Sequence, residues 1–533
     1  VVTTAPEPTA TENPPRRRRN WRPWLLRLAL AAGSGVVFYL AFAPRSLWWL
    51  APIGFAGFAF ALRGRRLWGG LGYGFAFGFA FYLPLLFWLQ DFLGVQFGPW
   101  PWLGLSAALA AYLAVGAALC TLVARLPWSP VWMSMILIAT ETPRAWFPFG
   151  GFPWGRVAFS QSEGAFLPLA SVGGAPLVGF AVVLTGFAVP SLVARLRRRN
   201  WRGSILPATG VVLPIVAGLA LWPTIGTAAQ TGSLTVATVQ GNAPDVGIGL
   251  MEEQDTIRAN HLAQSERLAQ QVHSGAVPQP DLVVWPESVT ELRGPDPALD
   301  ATVADVGAPA LIGTIYRAGA PGETQNSEVV WNPATGPGER YSKQELVPFS
   351  EYVPARAIAQ WVTPFVNGFY DMTPGDAPAV LDVAGTKVTT PICYEIAYDY
   401  VARQGVQQGA QLIVLPTNTA WFGTSGMSQQ QLAIARLRAV EHSRAVVVSA
   451  TSGVSALVAP DGQILQSTSE FTAASLVGRV PLRDTTTLSD RLGAWTEYGQ
   501  VGAALAAVLA GLVVRLRTRR AGAENTTRAT GAG

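Results

Sequence analysis

Cysteine, histidine, lysine and charge are all scarce in this chain of 533 residues. Two cysteines, Cys120 and Cys393, exclude a disulfide scaffold. Three histidines, His261, His273 and His442, stand too far apart in sequence to suggest a Cys/His metal cluster. Lys343 and Lys387 are the only lysines among 38 basic residues. Charged residues make up 13% of the chain, where a soluble globular domain carries roughly 25%. Up to about residue 230 the only acidic residues are Glu7, Glu12, Asp91, Glu141 and Glu163. What is present instead is apolar: AVILMFWYC account for 50%, with 19 tryptophans and 24 phenylalanines. The mean hydropathy is +0.28. That excludes an intrinsically disordered chain. The excess is too large for one soluble core and points to a membrane protein.

A spanning helix needs about 20 mostly apolar residues. Segments 24–42, 47–62, 67–89, 101–124, 129–147, 176–195, 205–224 and 497–514 are candidates for eight spans. The second is short, and Pro143 interrupts the fifth. Segment 152–175 is apolar but carries Arg156, Gln161 and Glu163, and reads as an interfacial or re-entrant connection. Arginines cluster at every second junction: Arg16 to Arg19, Arg63 to Arg66, Arg125, Arg195 to Arg199, and Arg515 to Arg520. By the positive-inside rule this puts both termini in the cytoplasm and the 227–494 region outside. The expected division is a disordered leader (1–20), about seven spans (21–226), an outer domain (227–494), a last span (495–517) and a cytoplasmic tail (518–533). The net charge of +5 is concentrated at span ends, so anionic lipid rather than nucleic acid is the expected partner.

The outer domain has ordinary composition. Short β-branched runs at 234–240, 282–285, 310–315, 329–331, 388–392, 412–415, 445–450 and 455–459 read as strands. Segments 250–273 and 428–443 read as helices, and Asp461-Gly462 marks a hairpin. Alternating strands and helices predict an α/β domain.

Three positions in it carry chemistry. Val284-Trp285-Pro286-Glu287 is a buried strand released by proline, with a carboxylate just beyond. Lys343 is a compact ammonium where arginine is the default cation. Cys393 ends an apolar strand and has no disulfide partner outside the membrane, which leaves either a packed core cysteine or a reactive thiol. A thiol of pKa near 8.5 needs a base, and the tetrahedral intermediate it forms needs a cation or donors. Glu287 is a candidate for the first function and Lys343 for the second, the alternatives being a solvated loop glutamate and an ordinary surface lysine, while no histidine offers a papain-like pair.

WPES around Glu287, YSKQELVPFSEYVP around Lys343 and ICYE around Cys393 resemble, in that order, the Glu-Lys-Cys triad of the nitrilase superfamily. Inside an eight-span frame, the closer resemblance is to the apolipoprotein N-acyltransferase family. Val239-Gln240-Gly241-Asn242, Phe152-Pro153-Trp154, Ala420-Trp421-Phe422-Gly423 and Arg438-Ala439-Val440-Glu441 extend it. The sequence departs from the family pattern at Glu345, Ser350, Thr419 and 243–247. The resemblance implies a nitrilase-like α-β-β-α sandwich attached to a multi-span α-helical domain in a bacterial cell membrane. It implies ping-pong transfer of an acyl chain from a phospholipid to the N-terminal amine of a diacylglyceryl-modified apolipoprotein, with no cofactor or metal. Glu351, Tyr394 and Glu395 correspond to supporting residues. Trp361, Phe365, Phe369 and Tyr370, with Trp421 and Phe422, either border a lipid entrance or pack as ordinary loop aromatics. Glu141 and Arg144, one helical turn apart, are expected to pair with each other. The competing readings are a membrane-tethered amidase or nitrilase that hydrolyses a C–N bond, and a catalytically silent scaffold.

Overall fold

The computed structural model describes residues 22–243, 247, 253–317, 319, 323–362, 366–367 and 371–530. Nine of the described helices precede the first strand: α1 (Arg22–Tyr39), α2 (Leu50–Leu62), α3 (Leu67–Leu85), α4 (Trp88–Phe97), α5 (Trp100–Val123), α6 (Ser129–Ala139), α7 (Glu141–Arg144), α8 (Ala170–Arg197) and α9 (Trp201–Leu221). By length and composition, Trp100–Val123, Leu167–Arg197, Trp201–Thr224 and Trp495–Thr518 can each cross a membrane. A fifth qualifies if α3 and α4, bent by 84° at their junction, count together. Each of the eight expected spans falls on a helix, but α1 and α2 are shorter than a full span and α6 stops at Ala139. Large apolar side chains on α9, among them Ile205, Leu213 and Leu219, are exposed. A lipid-facing surface has this character.

Of segment 152–175, residues 152–166 form no span and include the 3-10 turn Val157–Ser160, almost fully buried between α8 and a later helix of the α/β domain. The 3-10 turn Leu167–Leu169 and the start of α8 instead open the candidate span Leu167–Arg197.

That domain contributes two sheets. In chain order its elements are β1 (Ser233–Gln240), α10 (Gln254–His273), β2 (Leu282–Val284), β3 (Thr290–Leu292), α11 (Pro297–Val306), β4 (Ala310–Tyr316), β5 (Gln325–Asn332) and β6 (Gly336–Ser342). There follow α12 (Arg356–Val362), β7 (Val380–Val383), β8 (Thr386–Thr389), α13 (Asp399–Gln407), β9 (Leu412–Thr417), α14 (Met427–His442), β10 (Val446–Ala450), β11 (Ala456–Val458), β12 (Ile464–Ser467), β13 (Ala474–Pro481), α15 (Leu488–Leu492) and α16 (Trp495–Thr530). One sheet runs β13-β1-β2-β4-β5-β6 with β3 beside β4, and the other runs β12-β11-β10-β9-β8-β7. Strands β1, β2 and β4 are mutually parallel, as are β8, β9 and β10.

Alternation along the strands explains the layers. Val236, Leu282, Val284 and Leu311 turn inward to a core shared with Val388, Val414 and Val447 of the second sheet. Ala237, Val283, Ala310 and Ile312 turn outward against Ile257 and Leu268 of α10 and Leu299 and Val303 of α11. Helices α13 and α14 cover the second sheet, and α14 also packs on α8. The result is the expected α-β-β-α sandwich, seated on the apolar helices through α14. The hairpin at Asp461-Gly462 joins β11 to β12, with Gly462 at φ +82°. The strand expected at 388–392 stops at Thr389. The chain then enters a 3-10 turn at Cys393–Ala397.

Candidate active site

Glu287, Lys343 and Cys393, widely separated along the chain, come together where the two sheets face each other. Glu287 follows β2. Its loop passes so close to β4 that a Cβ on Gly313 would lie 2.0 Å from the Pro286 carbonyl oxygen and 2.7 Å from the Glu287 Cα. Lys343 follows β6, the partner of β5. Cys393 opens the turn after β8 at φ +51°, and Ser288, beside Glu287, sits at φ +54°. Non-glycine residues held in the left-handed region carry strain that the surrounding structure must support.

Lys343 Nζ donates to Glu287 Oε1 at 2.9 Å and to Glu351 Oε1 at 3.1 Å. Asn326 Nδ2 bridges the same two oxygens at 2.8 and 2.6 Å. The Asn418 backbone N–H donates to Glu287 Oε2 at 3.0 Å, and Val347 N–H donates to Glu351 Oε2 at 2.7 Å. The Cys393 thiol lies close enough to Glu287 for the two groups to shift each other's proton affinity. It also receives the Thr417 hydroxyl at 3.2 Å and Gln431 Nε2 at 3.6 Å. All three central side chains are buried.

Burial pushes the Glu287 carboxyl up, but Lys343 and the hydrogen bonds carry it below the usual carboxylate range. Lys343 is held well above its ordinary value: burial opposes its charge, and Glu287, Glu351, Cys393 and Glu395 more than restore it. Burial and the Glu287 charge push the Cys393 thiol up to about 12, against the smaller pull of Lys343 and Thr417. The resting arrangement is therefore a neutral thiol beside an ionised carboxylate and an ammonium. Such a set can remove a proton from sulfur as it attacks a carbonyl and stabilise the resulting oxyanion.

Glu395 ties the two loops together. It accepts from Ile392 N–H at 2.8 Å, Gln344 N–H at 2.8 Å, Glu345 N–H at 3.0 Å and the Tyr341 hydroxyl at 2.8 Å. Burial raises its pKa to about 7 against the pull of these donors and Lys343. Tyr394 lies on Trp154, with ring centroids 6.4 Å apart, and donates to the Gly151 carbonyl.

Of the aromatics expected near a lipid entrance, Trp361 on α12 is exposed. Phe365, Phe369 and Tyr370 lie outside the described residues. Trp421 and Phe422 are half-buried against α4: Phe422 meets Trp88 at 4.9 Å, and Trp421 meets Phe92 at 5.9 Å. Both rings are thus already in packing contact with the helical region. The expected Glu141–Arg144 pair is not formed. Glu141 pairs with Arg156 at 3.0 Å, and Arg144 donates to the Trp154 carbonyl, because the turn after α7 brings those partners closer than the helix does. His442 is bonded to Asp490 at 2.6 Å, and His261 is buried on α10 against the Ile257 carbonyl.

Sequence reasoning did not single out Asn326, Thr417 or Gln431. It also missed Glu328, a fully buried glutamate on β5 whose two carboxylate oxygens have no hydrogen-bond partner among the described residues. Burial and the Glu287 charge push its pKa well above the usual range, so it is a neutral acid. A glutamate inside the apolar run Ser327–Trp331 was the available signal.

Residues 34–188 match the family described as apolipoprotein N-acyltransferase N-terminal domain, and residues 235–489 match carbon-nitrogen hydrolase. The chain is 36% identical over 518 residues to the apolipoprotein N-acyltransferase of Mycolicibacterium smegmatis, covering 92% of this chain and 84% of that one. The chain belongs to the apolipoprotein N-acyltransferase family. The enzyme of that name from Azotobacter vinelandii is 32% identical, with 93% and 96% of the two chains covered. Among solved structures, yeast Nit3 of the nitrilase superfamily is similar at a TM-score of 0.36 and 17% identity, covering 48% of this chain and 93% of that one. Membership of this family makes the protein an acyltransferase of the nitrilase superfamily, and its long apolar helices fit a membrane enzyme.

Proposed function

We propose that the protein transfers an acyl chain from a phospholipid to the N-terminal amine of a diacylglyceryl-cysteine on an apolipoprotein, through a thioester on Cys393. The observation that carries this reading is the buried Glu287–Lys343–Cys393 cluster in a sandwich seated on apolar helices.

In the first half-reaction the Cys393 sulfur attacks the ester carbonyl of the donor while its proton passes to Glu287. Lys343, held by Glu351, stabilises the oxyanion. The C–O bond then breaks, and Glu287 returns the proton to the leaving lysophospholipid alkoxide. In the second, the acceptor amine attacks the thioester and gives a proton to Glu287. The C–S bond breaks, and Cys393 recovers its proton. The neutral resting thiol favours proton transfer concerted with attack, because a pKa of about 12 leaves a thiolate fraction on the order of 10⁻⁵ at neutral pH.

The residues from 227 to 494 act as the catalytic domain, on the outer face of a bacterial cell membrane. The region from 21 to 226 and the helix from 495 to 517 anchor it, and both chain ends lie in the cytoplasm. The geometry of α8 supports this orientation. Its Gly174 end touches Glu441 of the sandwich, and its other end, about 35 Å away at 1.5 Å per residue, carries Arg195 and Arg197.

Intact-mass measurement after incubation with phospholipid tests the reading. An acyl adduct is expected on the parent protein and not on Cys393→Ser, and a diacylated lipopeptide with a free amine should discharge it. Ammonia release from small amides without any adduct would instead establish a hydrolase.

A further inference from the structure

Two residues beyond Lys343, Glu345 stands at the edge of the site in an aromatic setting. One carboxylate oxygen accepts from the Tyr400 hydroxyl. The other lies 3.9 Å from where a Cβ on Gly150 would stand, and the Tyr352 hydroxyl is 3.8 Å from the same point. Among the described residues no cation pairs with Glu345. Four nearby acidic side chains do have cationic partners: Glu287 and Glu351 share Lys343, Glu141 pairs with Arg156, and Asp399 pairs with Arg156 and Arg438.

A file of rings runs past this carboxylate. Tyr394, next to Cys393, meets Tyr398 at 5.4 Å. Tyr398 meets Tyr400 at 6.1 Å, and Tyr400 stacks on exposed Trp146 at 5.7 Å and 18°. Phe147, Phe149 and Phe349 are exposed beside the outer end of this file. Exposed tryptophan and phenylalanine just beyond an apolar helix suit the headgroup level of a bilayer. A carboxylate with one free oxygen, bounded by tyrosine and tryptophan rings, is complementary to an ammonium group: it offers an ion pair and cation–π faces together.

We propose that Glu345, with Tyr352, Tyr400 and Trp146, forms a binding subsite for the primary ammonium group of a substrate. The inference rests on the acyl-transfer reading. Two substrates of that reaction carry such a group: an acceptor with a free α-amine, and a donor lipid with an ethanolamine headgroup. Burial raises the Glu345 pKa, with the Tyr400 hydroxyl opposing. A bound ammonium supplies the charge that keeps the carboxylate ionised.

The test measures equilibrium binding to the full-length Cys393→Ala protein, which cannot turn over. The probes are short-chain phosphatidylethanolamine and its N-acetyl derivative, and a diacylated lipopeptide with its α-amine free or acetylated. In one of the two pairs the free amine should bind about tenfold more tightly than the blocked one. Glu345→Gln, which keeps the shape and the Tyr400 contact, should erase that preference without lowering the melting temperature. The pair that shows the effect identifies the source of the ammonium. Tyr400→Phe should weaken the preference in the same pair. Equal affinity for free and blocked amines in both pairs overturns the proposal, as does a preference that survives Glu345→Gln. Adduct formation on protein with Cys393 intact is scored separately. A preference without any adduct leaves the subsite and removes the acyl-transfer reading, and an adduct without a preference does the reverse.

Discussion

Replacing Glu351 by glutamine probes how Lys343 is held, and its effect can be worked from the contacts. Glu351 Oε1 accepts from Lys343 Nζ at 3.1 Å and Asn326 Nδ2 at 2.6 Å, and Oε2 accepts from Val347 N–H at 2.7 Å. All three partners are donors. A glutamine offers one oxygen and one NH2 group, so either flip sets a donor against a donor. If the oxygen stays on Lys343 and Asn326, the Val347 bond is lost. If it turns to Val347, two bonds are lost and Lys343 faces an amide N–H. The milder outcome removes one charge-assisted hydrogen bond, about 1.5–3 kcal/mol. Expressed in the step where Lys343 meets the oxyanion, that is about a 10- to 150-fold slower acyl loading of Cys393. Single-turnover loading followed by intact mass reads this rate, and a melting curve in the same detergent monitors the fold. The half-saturating phospholipid concentration should hardly move, because Glu351 contacts Lys343 rather than the lipid. Loading within twofold of the parent protein would refute the argument that Glu351 fixes the ammonium.

Four further outcomes follow from the same geometry. Gly313→Ala drives a methyl into the Pro286 carbonyl and the Glu287 Cα, and should cut loading by about 100-fold, read by the same assay; near-parental loading would show that the loop yields freely. Loading should rise with pH through the depressed pKa of Glu287 and show no inflection between pH 8 and 9, since Cys393 stays protonated up to about 12; an inflection there would mean attack by a free thiolate. Arg156→Met strands Glu141 in the interior, leaves Asp399 with Arg438 alone, and should cost about 3–5 kcal/mol, seen as a large drop in melting temperature. Asp399 shows the sign of the pH effect on stability. Burial raises its pKa, but Arg156 and Arg438 draw it well below the usual range. Its contribution is therefore full above the ordinary carboxylate pKa and lost only as pH falls below it, a loss that thermal melts between pH 5 and 2 would follow.

The chemistry was legible because it sits at strand ends, where an apolar run stops and a reactive residue follows. Val284-Trp285-Pro286-Glu287 and Thr389–Cys393 both have that form. The residues that support the chemistry carry no such mark. Asn326 reaches Glu287 and Glu351 only because β5 pairs with both β4 and β6. Strands β6 and β13 escaped the reading because Gly336–Ser342 and Ala474–Pro481 border the first sheet and are only partly buried, so they lack a strong apolar pattern. Helices α11 and α13, of 10 and 9 residues, are short beside the segments that periodicity picks out. Spans were located but not measured: hydropathy found the α6 region without showing that it ends at Ala139. The Glu141–Arg144 expectation failed for a related reason. A local spacing rule cannot see an arginine delivered by the following turn.

That turn explains how the nucleophile is held relative to the apolar helices. Arg438 on α14 donates to the Ile396 and Ala397 carbonyls at 2.9 and 3.0 Å, the far end of the Cys393 turn. It pairs with Asp399 at 2.7 Å, Asp399 with Arg156 at 2.6 Å, and Arg156 with Glu141 at 3.0 Å. The chain of charges therefore runs, without a break, from the reactive turn to α7 at the end of an apolar helix. Apolar side chains could fill the same volume with comparable stability, since desolvation offsets most of the attraction in a buried ion pair. What they could not supply is direction. A guanidinium binds its partners in one plane at fixed angles, so each link sets an orientation as well as a distance. A cysteine that must meet an ester held in a bilayer needs that orientation, because misplacing the reacting atom by about 1 Å costs on the order of 100-fold in rate. The buried charges are thus better explained by where they fix Cys393 than by how much they stabilise the fold.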